Sequence, residues 1–84
     1  MLDILYFAWV REAIGKDGES IDHPGADITI SVLLDRLSGA GEGYAEAFAD
    51  RSRLRAALDH AFVSLETPLG EAHELALFPP VTGG

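Results

Sequence analysis

Eighty-four residues, 48% hydrophobic and 24% charged, describe one ordinary globular domain near the size at which a single core is only just adequate. The absence of cysteine excludes disulfides, thiolate catalysis and cysteine-ligated metal. A formal net charge of −8, with Lys16 the only lysine, argues against nucleic acid, and no apolar run is long enough to span a bilayer, so the cytoplasm is the expected compartment.

Leu2 to Val10 alternates Leu2, Ile4, Tyr6, Ala8 and Val10 against Asp3, Leu5, Phe7 and Trp9, which predicts a strand whose even residues meet the core. Arg11 to Gly15 reads as a short helical turn, and Asp17-Gly18 as a hairpin signal returning the chain along Glu19 to His23. Pro24-Gly25 ends that strand. Thr29 is placed to cap a helix running to about Leu37, with Ile30, Leu33, Leu34 and Leu37 forming one apolar stripe. Ser38 to Gly43 reads as a flexible connection. Its glycines lack the Lys-Ser/Thr of a phosphate loop and follow a helix where such a loop follows a strand. Tyr44, Ala47 and Phe48 predict a second, short helix ending near Asp50. Leu54, Ala56 and Leu58 mark a third strand, Asp59-His60 a two-residue turn, Ala61 to Leu65 a fourth strand, and Glu74 to Phe78 a last one with Leu75 and Leu77 facing inward.

This order, two strands, a helix, a short helix and three strands, fits an α+β fold: a mixed sheet packed on one main helix, a β-grasp. The first and last strands are expected side by side and parallel at its centre, with a right-handed crossover placing the helix on one face. Residues 1–78 form the expected domain and residues 79–84 an extended, flexible tail. Pro79-Pro80 cannot donate to a sheet ladder and favours an extended exit, followed by Val81, Thr82, Gly83 and Gly84. With glycine at about 7% of average usage, two glycines in the last two places arise by chance roughly 0.5% of the time. Six residues beyond Phe78 span roughly 20 Å when extended, enough to reach into another protein's cleft with the Gly84 carboxylate at the tip.

Three phenylalanines stand opposite the core positions of their strands. Phe7 shares a face with Asp3, Phe62 with Ser64 and Phe78 with Glu74, which predicts an aromatic patch beside the tail's exit and a partner interface. His23, His60 and His73 are too dispersed for a metal site. Ser31, Ser64 and the scattered carboxylates show no nucleophile elbow. Glu71 and Glu74 read as solvated strand-edge charges. Arg51, Arg53 and Arg55 read as a basic cluster along one exposed strand face, open to an acidic partner.

With Leu5-Tyr6-Phe7-Ala8, Val10-Arg11-Glu12, Val63-Ser64 and above all Leu77-Phe78-Pro79-Pro80-Val81-Thr82-Gly83-Gly84, the whole chain resembles the sulfur-carrier (small) subunits of molybdopterin synthase, in the ubiquitin-like β-grasp family. Phe-Pro-Pro ahead of Gly-Gly is typical of that branch. The chain departs from it at Asp59, where asparagine is frequent, and at Ala72-His73, where Gly-Asp is. The resemblance implies a non-catalytic sulfur donor: an ubiquitin-activating-like adenylyltransferase uses ATP to adenylate Gly84, and sulfur then converts Gly84 to a thiocarboxylate. It also implies a large catalytic subunit, in a two-plus-two heterotetramer, where that sulfur builds the dithiolene of molybdopterin from cyclic pyranopterin monophosphate. No cofactor or metal is expected on this chain itself. A thiamine-pathway sulfur carrier, a ubiquitin-like protein modifier and a plain interaction module stay open as alternatives.

If the tail works by insertion into a narrow channel, Gly83→Val should fold and dock normally. Adenylation of Gly84, dithiolene formation from prepared thiocarboxylate, or both should fall by on the order of a hundredfold, the effect of misplacing a reacting centre by about 1 Å. Wild-type rates in both assays would rule the insertion out.

Overall fold

The computed structural model of the chain describes residues 1–80; Val81, Thr82, Gly83 and Gly84 lie outside the described residues. Strand β1 (Leu2–Tyr6) buries Leu2, Ile4 and Tyr6 as the alternation requires. It stops four residues earlier than the sequence pattern suggests. Phe7 is still extended, but Ala8 turns left-handed at φ 53° and helix α1 (Ala8–Ile14) begins there. Val10 is buried from a helix, not a strand; the even-numbered apolar pattern ran on because the two geometries bury the same parity at this position. Alanine carries the smallest side chain that a left-handed residue outside glycine has to accommodate. Gly15, at φ 89°, closes α1 and donates its N–H to the Arg11 carbonyl at 2.8 Å.

The connection from β1 to β2 (Gly18–Ile21) therefore contains a helix, and Asp17-Gly18 is its last step, not a two-residue hairpin turn. Thr29 caps α2 (Ile30–Ser38) by accepting the Val32 N–H on its hydroxyl at 3.2 Å, and Ile30, Leu33 and Leu34 are buried. The next helix, α3 (Glu42–Ala47), begins inside the stretch read as a flexible connection. A short 3₁₀ turn (Arg51–Arg53) precedes β3 (Arg55–Leu58), β4 (Ala61–Val63) and β5 (Glu74–Phe78). Asp59 and His60 make the tight turn between β3 and β4, with φ of 46° and 73°. β4 ends two residues before the expected Leu65. From there the chain peels away to serve α2: Leu65 and Thr67 carbonyls accept the Ser31 and Ile30 N–H groups at 2.8 and 3.1 Å.

The strands form one mixed sheet in the order β2-β1-β5-β3-β4, with β1 and β5 parallel at its centre, as expected. Leu2, Ile4, Tyr6, Ala56, Leu75 and Leu77 meet Val10, Leu33, Leu34, Ala47 and Phe48 from the helices in one core. All three helices thus cover the same sheet face, and the other face is left for the site described below.

One polar knot joins β1, β2 and α3. The buried Tyr6 hydroxyl donates to Glu19 Oε2 at 2.7 Å, the Tyr44 hydroxyl donates to the same oxygen at 2.5 Å, and Lys16 Nζ donates to Oε1 at 3.2 Å. Burial pushes the Glu19 carboxyl up, but the bonds from Tyr44, Tyr6 and Lys16 together outweigh it and hold the group below its ordinary value. Burial, joined by the carboxylate beside it, drives the Tyr6 phenol far upward, so it remains a donor.

Gly43 fixes how closely α3 approaches α1. A Cβ there would sit 2.5 Å from the Ala13 carbonyl oxygen and 3.2 Å from Ile14 Cα. Gly43→Ala should gain about 1 kcal/mol of helix propensity yet lose about 1–3 kcal/mol to overpacking against rigid backbone. We expect a net fall in melting temperature. Gly39→Ala, whose Cβ would meet the nearest atom at an ordinary 3.5 Å, should not destabilise, and equal behaviour of the two would refute the close approach.

Candidate functional site

The sheet face turned away from the helices is built by register. Leu5, Ala76, Ala57 and Phe62 stand in one row across β1, β5, β3 and β4, because Leu5 pairs with Ala76, Ala76 with Ala57 and Ala57 with Phe62. Two alanines at the middle of that row keep the floor low. Phe7, Phe62 and Phe78 rise around it, enclosing with His60 and Glu74 a groove of about 460 Å³. The Phe62 and Phe78 rings lie 5.5 Å apart and tilted, and Phe62 is 79% exposed. Phe62 thus holds a large aromatic side chain out of the core beside an apolar trough, the kind of exposed apolar patch that in general marks interaction sites.

Sequence alternation placed the three phenylalanines on one face, and the structure brings them together. It did not identify the alanine floor, although Ala76 shares the parity of Phe78 and Ala57 alternates with Ala56 and Leu58; small residues carry no signal until the register sets them opposite one another. Nor did it find the groove's polar end. Glu74 is not at a sheet edge: it opens the central strand β5, with its carboxylate 3.7 Å from His60 Nδ1. Glu71 lies in the loop before β5, outside any strand. Beneath this end, Asp59 Oδ1 accepts the His73 N–H at 2.9 Å and the Glu74 N–H at 3.0 Å, bonds that hold its carboxyl below the usual range.

The expected arginine stripe does not form. Arg51 sits in the 3₁₀ turn and ties it to α2, donating to the Phe48 carbonyl at 2.7 Å, to Ser31 and to Asp35 Oδ1 at 2.7 Å. Arg53 lies over the Trp9 ring, 4.5 Å from its centroid. Arg55 begins β3 and donates to the Leu54 carbonyl at 2.8 Å. The turn breaks the alternation that would have aligned them. Among the described residues, no group of three histidine or carboxylate side chains is placed to hold a metal ion, and no helix is long and apolar enough to cross a membrane.

The tail's root is part of the same site. The Phe7 N–H reaches the Leu77 carbonyl at 3.2 Å, Arg55 faces Phe78, and β5 ends at Phe78. Pro79 and Pro80 have no N–H with which to continue either ladder. The chain leaves the sheet between Phe7 and the start of β3, at the open end of the aromatic groove. The positions expected to insert or react beyond them, Val81 to Gly84, lie outside the described residues.

A five-stranded mixed sheet closed over its helices, with parallel terminal strands and an exposed aromatic face, defines a ubiquitin-like β-grasp protein. Residues 4–84 match the ThiS family, and the chain belongs to it. It is 37% identical over 86 residues to the molybdopterin synthase sulfur carrier subunit of Escherichia coli K12 and 34% identical over 84 residues to that of Haemophilus influenzae, in both cases across 100% of each chain. Among solved structures, SAMP1 from Haloferax volcanii superposes with a TM-score of 0.73 at 28% identity, covering 99% of this chain and 98% of its own. A protein described as a putative molybdopterin converting factor, subunit 1, from Pyrococcus furiosus superposes with a TM-score of 0.72 at 25% identity, covering 95% and 97%.

Because Phe62 contributes to the groove and not to the core, Phe62→Ala should leave the melting temperature nearly unchanged. Phe48→Ala, at a position 2% exposed, should lose about 3–5 kcal/mol. A collapse of stability in Phe62→Ala would place that ring in the core.

Proposed function

We propose that this chain is the sulfur-carrying small subunit of molybdopterin synthase. The observation that carries the reading is likeness over the full chain to two sulfur carrier subunits of that enzyme, in a sequence that ends on Gly83-Gly84. The groove and the tail root supply a physical division of labour consistent with it. The aromatic face docks the body, and the narrow tail delivers a terminal group into a partner's site.

In this reading the Gly84 carboxylate, a poor electrophile, attacks the α-phosphorus of ATP on an activating enzyme, and pyrophosphate leaves. A sulfur nucleophile at the oxidation level of hydrosulfide then adds to the acyl carbon and AMP departs with the bonding electron pair, leaving a thiocarboxylate. Its sulfur is nucleophilic at neutral pH, and on the large subunit it is passed to the pterin precursor while water restores the carboxylate. Stiff Pro79-Pro80 lowers the ordering cost of insertion, and Gly83-Gly84 keeps the tip slim. The acid–base groups belong to the large subunit. The likeness to a solved small archaeal modifier protein 1 from H. volcanii supports a second reading, in which Gly84 is joined to amines of other proteins.

Intact mass of the chain purified from its own cells, followed by C-terminal peptide mapping, tests both. We expect one terminal oxygen replaced by sulfur, confined to the peptide that holds Gly84. Sulfur on an internal peptide would overturn the carrier reading, and recovery only as conjugates to other proteins would favour the second. Phe62→Ala should also weaken binding to the large subunit by on the order of thirtyfold, the cost of losing a buried aromatic anchor.

A further inference from the structure

Lys16 is the only lysine of the chain, and the fold places it at the end of the sheet from which the tail departs. The carbonyl of Asp17, its neighbour, accepts the Tyr6 N–H at 2.8 Å, and Tyr6 is paired with Leu77, one residue before Phe78. Adjacent strands are about 5 Å apart. A tail of at most roughly 20 Å beyond Phe78 is several strand spacings long, so its length does not keep Gly84 from Lys16. A reactive group on so short a tether acts at an effective concentration on the order of millimolar.

This matters because of the chemistry proposed above, on which the present inference rests. An acyl-adenylate reacts with free amines. The deprotonated Lys16 Nζ would attack the Gly84 carbonyl carbon, a C–N bond would form, the C–O bond to AMP would break with AMP taking the electron pair, and the proton would pass to water. The product is an isopeptide with no terminal carboxyl left to carry sulfur. An ammonium has no lone pair and cannot do this.

The environment of Lys16 favours the ammonium. Glu19 divides its two oxygens: Oε2 receives both phenols, Tyr6 at 2.7 Å and Tyr44 at 2.5 Å, and Oε1 is left to face Lys16 Nζ at 3.2 Å. The Tyr44 ring lies under the same nitrogen, 5.7 Å from its centroid. Asp17, the adjoining acid, is turned to Arg11 at 3.8 Å and does not compete. The Tyr44 and Glu19 side chains beside it raise the lysine from its ordinary value. We propose that Glu19 and Tyr44 clamp Lys16 in its unreactive charged form and so keep the chain from capturing its own activated terminus. The carrier is then nearly free of lysine, and the one it retains is quenched.

The first test needs no activation of the tail. The folded chain is acetylated with the N-hydroxysuccinimide ester of acetic acid at neutral pH, and Lys16 is followed by peptide mapping against the same chain unfolded in urea. In Glu19→Gln, which keeps an acceptor for the phenols but loses the charge, Lys16 should react about two- to fivefold faster than in the wild type, the range set by a surface ion pair. Tyr44→Phe should fall between them. Equal rates in the wild type and both folded variants overturn the clamp. In the second test, each protein is incubated with the activating enzyme and ATP without a sulfur donor. A Gly84–Lys16 isopeptide, seen as loss of one water, should accumulate about two- to fivefold faster in Glu19→Gln than in the wild type; equal accumulation overturns the protective role. Pyrophosphate exchange monitors adenylation in the same tubes. Its absence would count against the sulfur-carrier reading, while the acetylation result still decides the clamp.

Discussion

Strands β1 and β5 come from opposite ends of the chain, and their parallel register, Ile4 beside Leu75 and Tyr6 beside Leu77, closes the fold. On the inner face this pairing aligns the side chains that meet the helices. On the outer face it sets Leu5 against Ala76 and begins the row that becomes the groove floor. Because the two strands run the same way, the loop after α1 and the root of the tail share one end of the sheet. Groove and tail root both follow from that one register, and a slip of one residue would turn the apolar set to solvent.

A small domain with little core can ill tolerate unsatisfied polar groups, and here the start of α2 and the buried Tyr6 phenol find partners distant in sequence. The first N–H groups of α2 are taken by Thr29 and by the carbonyls of Leu65 and Thr67. Arg51 ties the 3₁₀ turn to Ser31 and Asp35. Glu19 receives Tyr6 and Tyr44. These contacts use up charged side chains that a composition-level reading would have assigned to solvent or to a partner. The apolar face keeps its exposed aromatics, with the His60–Glu74 pair at one end and the prolines leaving at the other.

Elements whose identity rests on local chemistry were legible in the sequence. Thr29 and the Ile30, Leu33, Leu34 stripe define α2 by capping and a 3.6-residue period. Asp59-His60 defines a turn because few other residues tolerate left-handed geometry twice in succession, and Pro79-Pro80 ends β5 by removing its donors. The parity of Phe7, Phe62 and Phe78 announced an aromatic face, because alternation along a strand is a local property. The family resemblance was legible for the same reason, its motif being contiguous.

Tertiary structure alone decided the rest. Whether Val10 belonged to a strand or a helix depended on Ala8 turning left-handed, which parity could not reveal. Gly43 looked like part of a flexible connection until the packing of α3 on α1 showed that its missing Cβ is what brings the backbones together. Arg51, Arg53 and Arg55 looked like one basic stripe until a 3₁₀ turn sent two of them to Ser31 and Trp9. The alanine floor and the Glu19–Lys16–Tyr44 clamp join residues far apart in the chain. Sequence determines which side chains are available and their local geometry; distances between remote groups exist only once the sheet register is set.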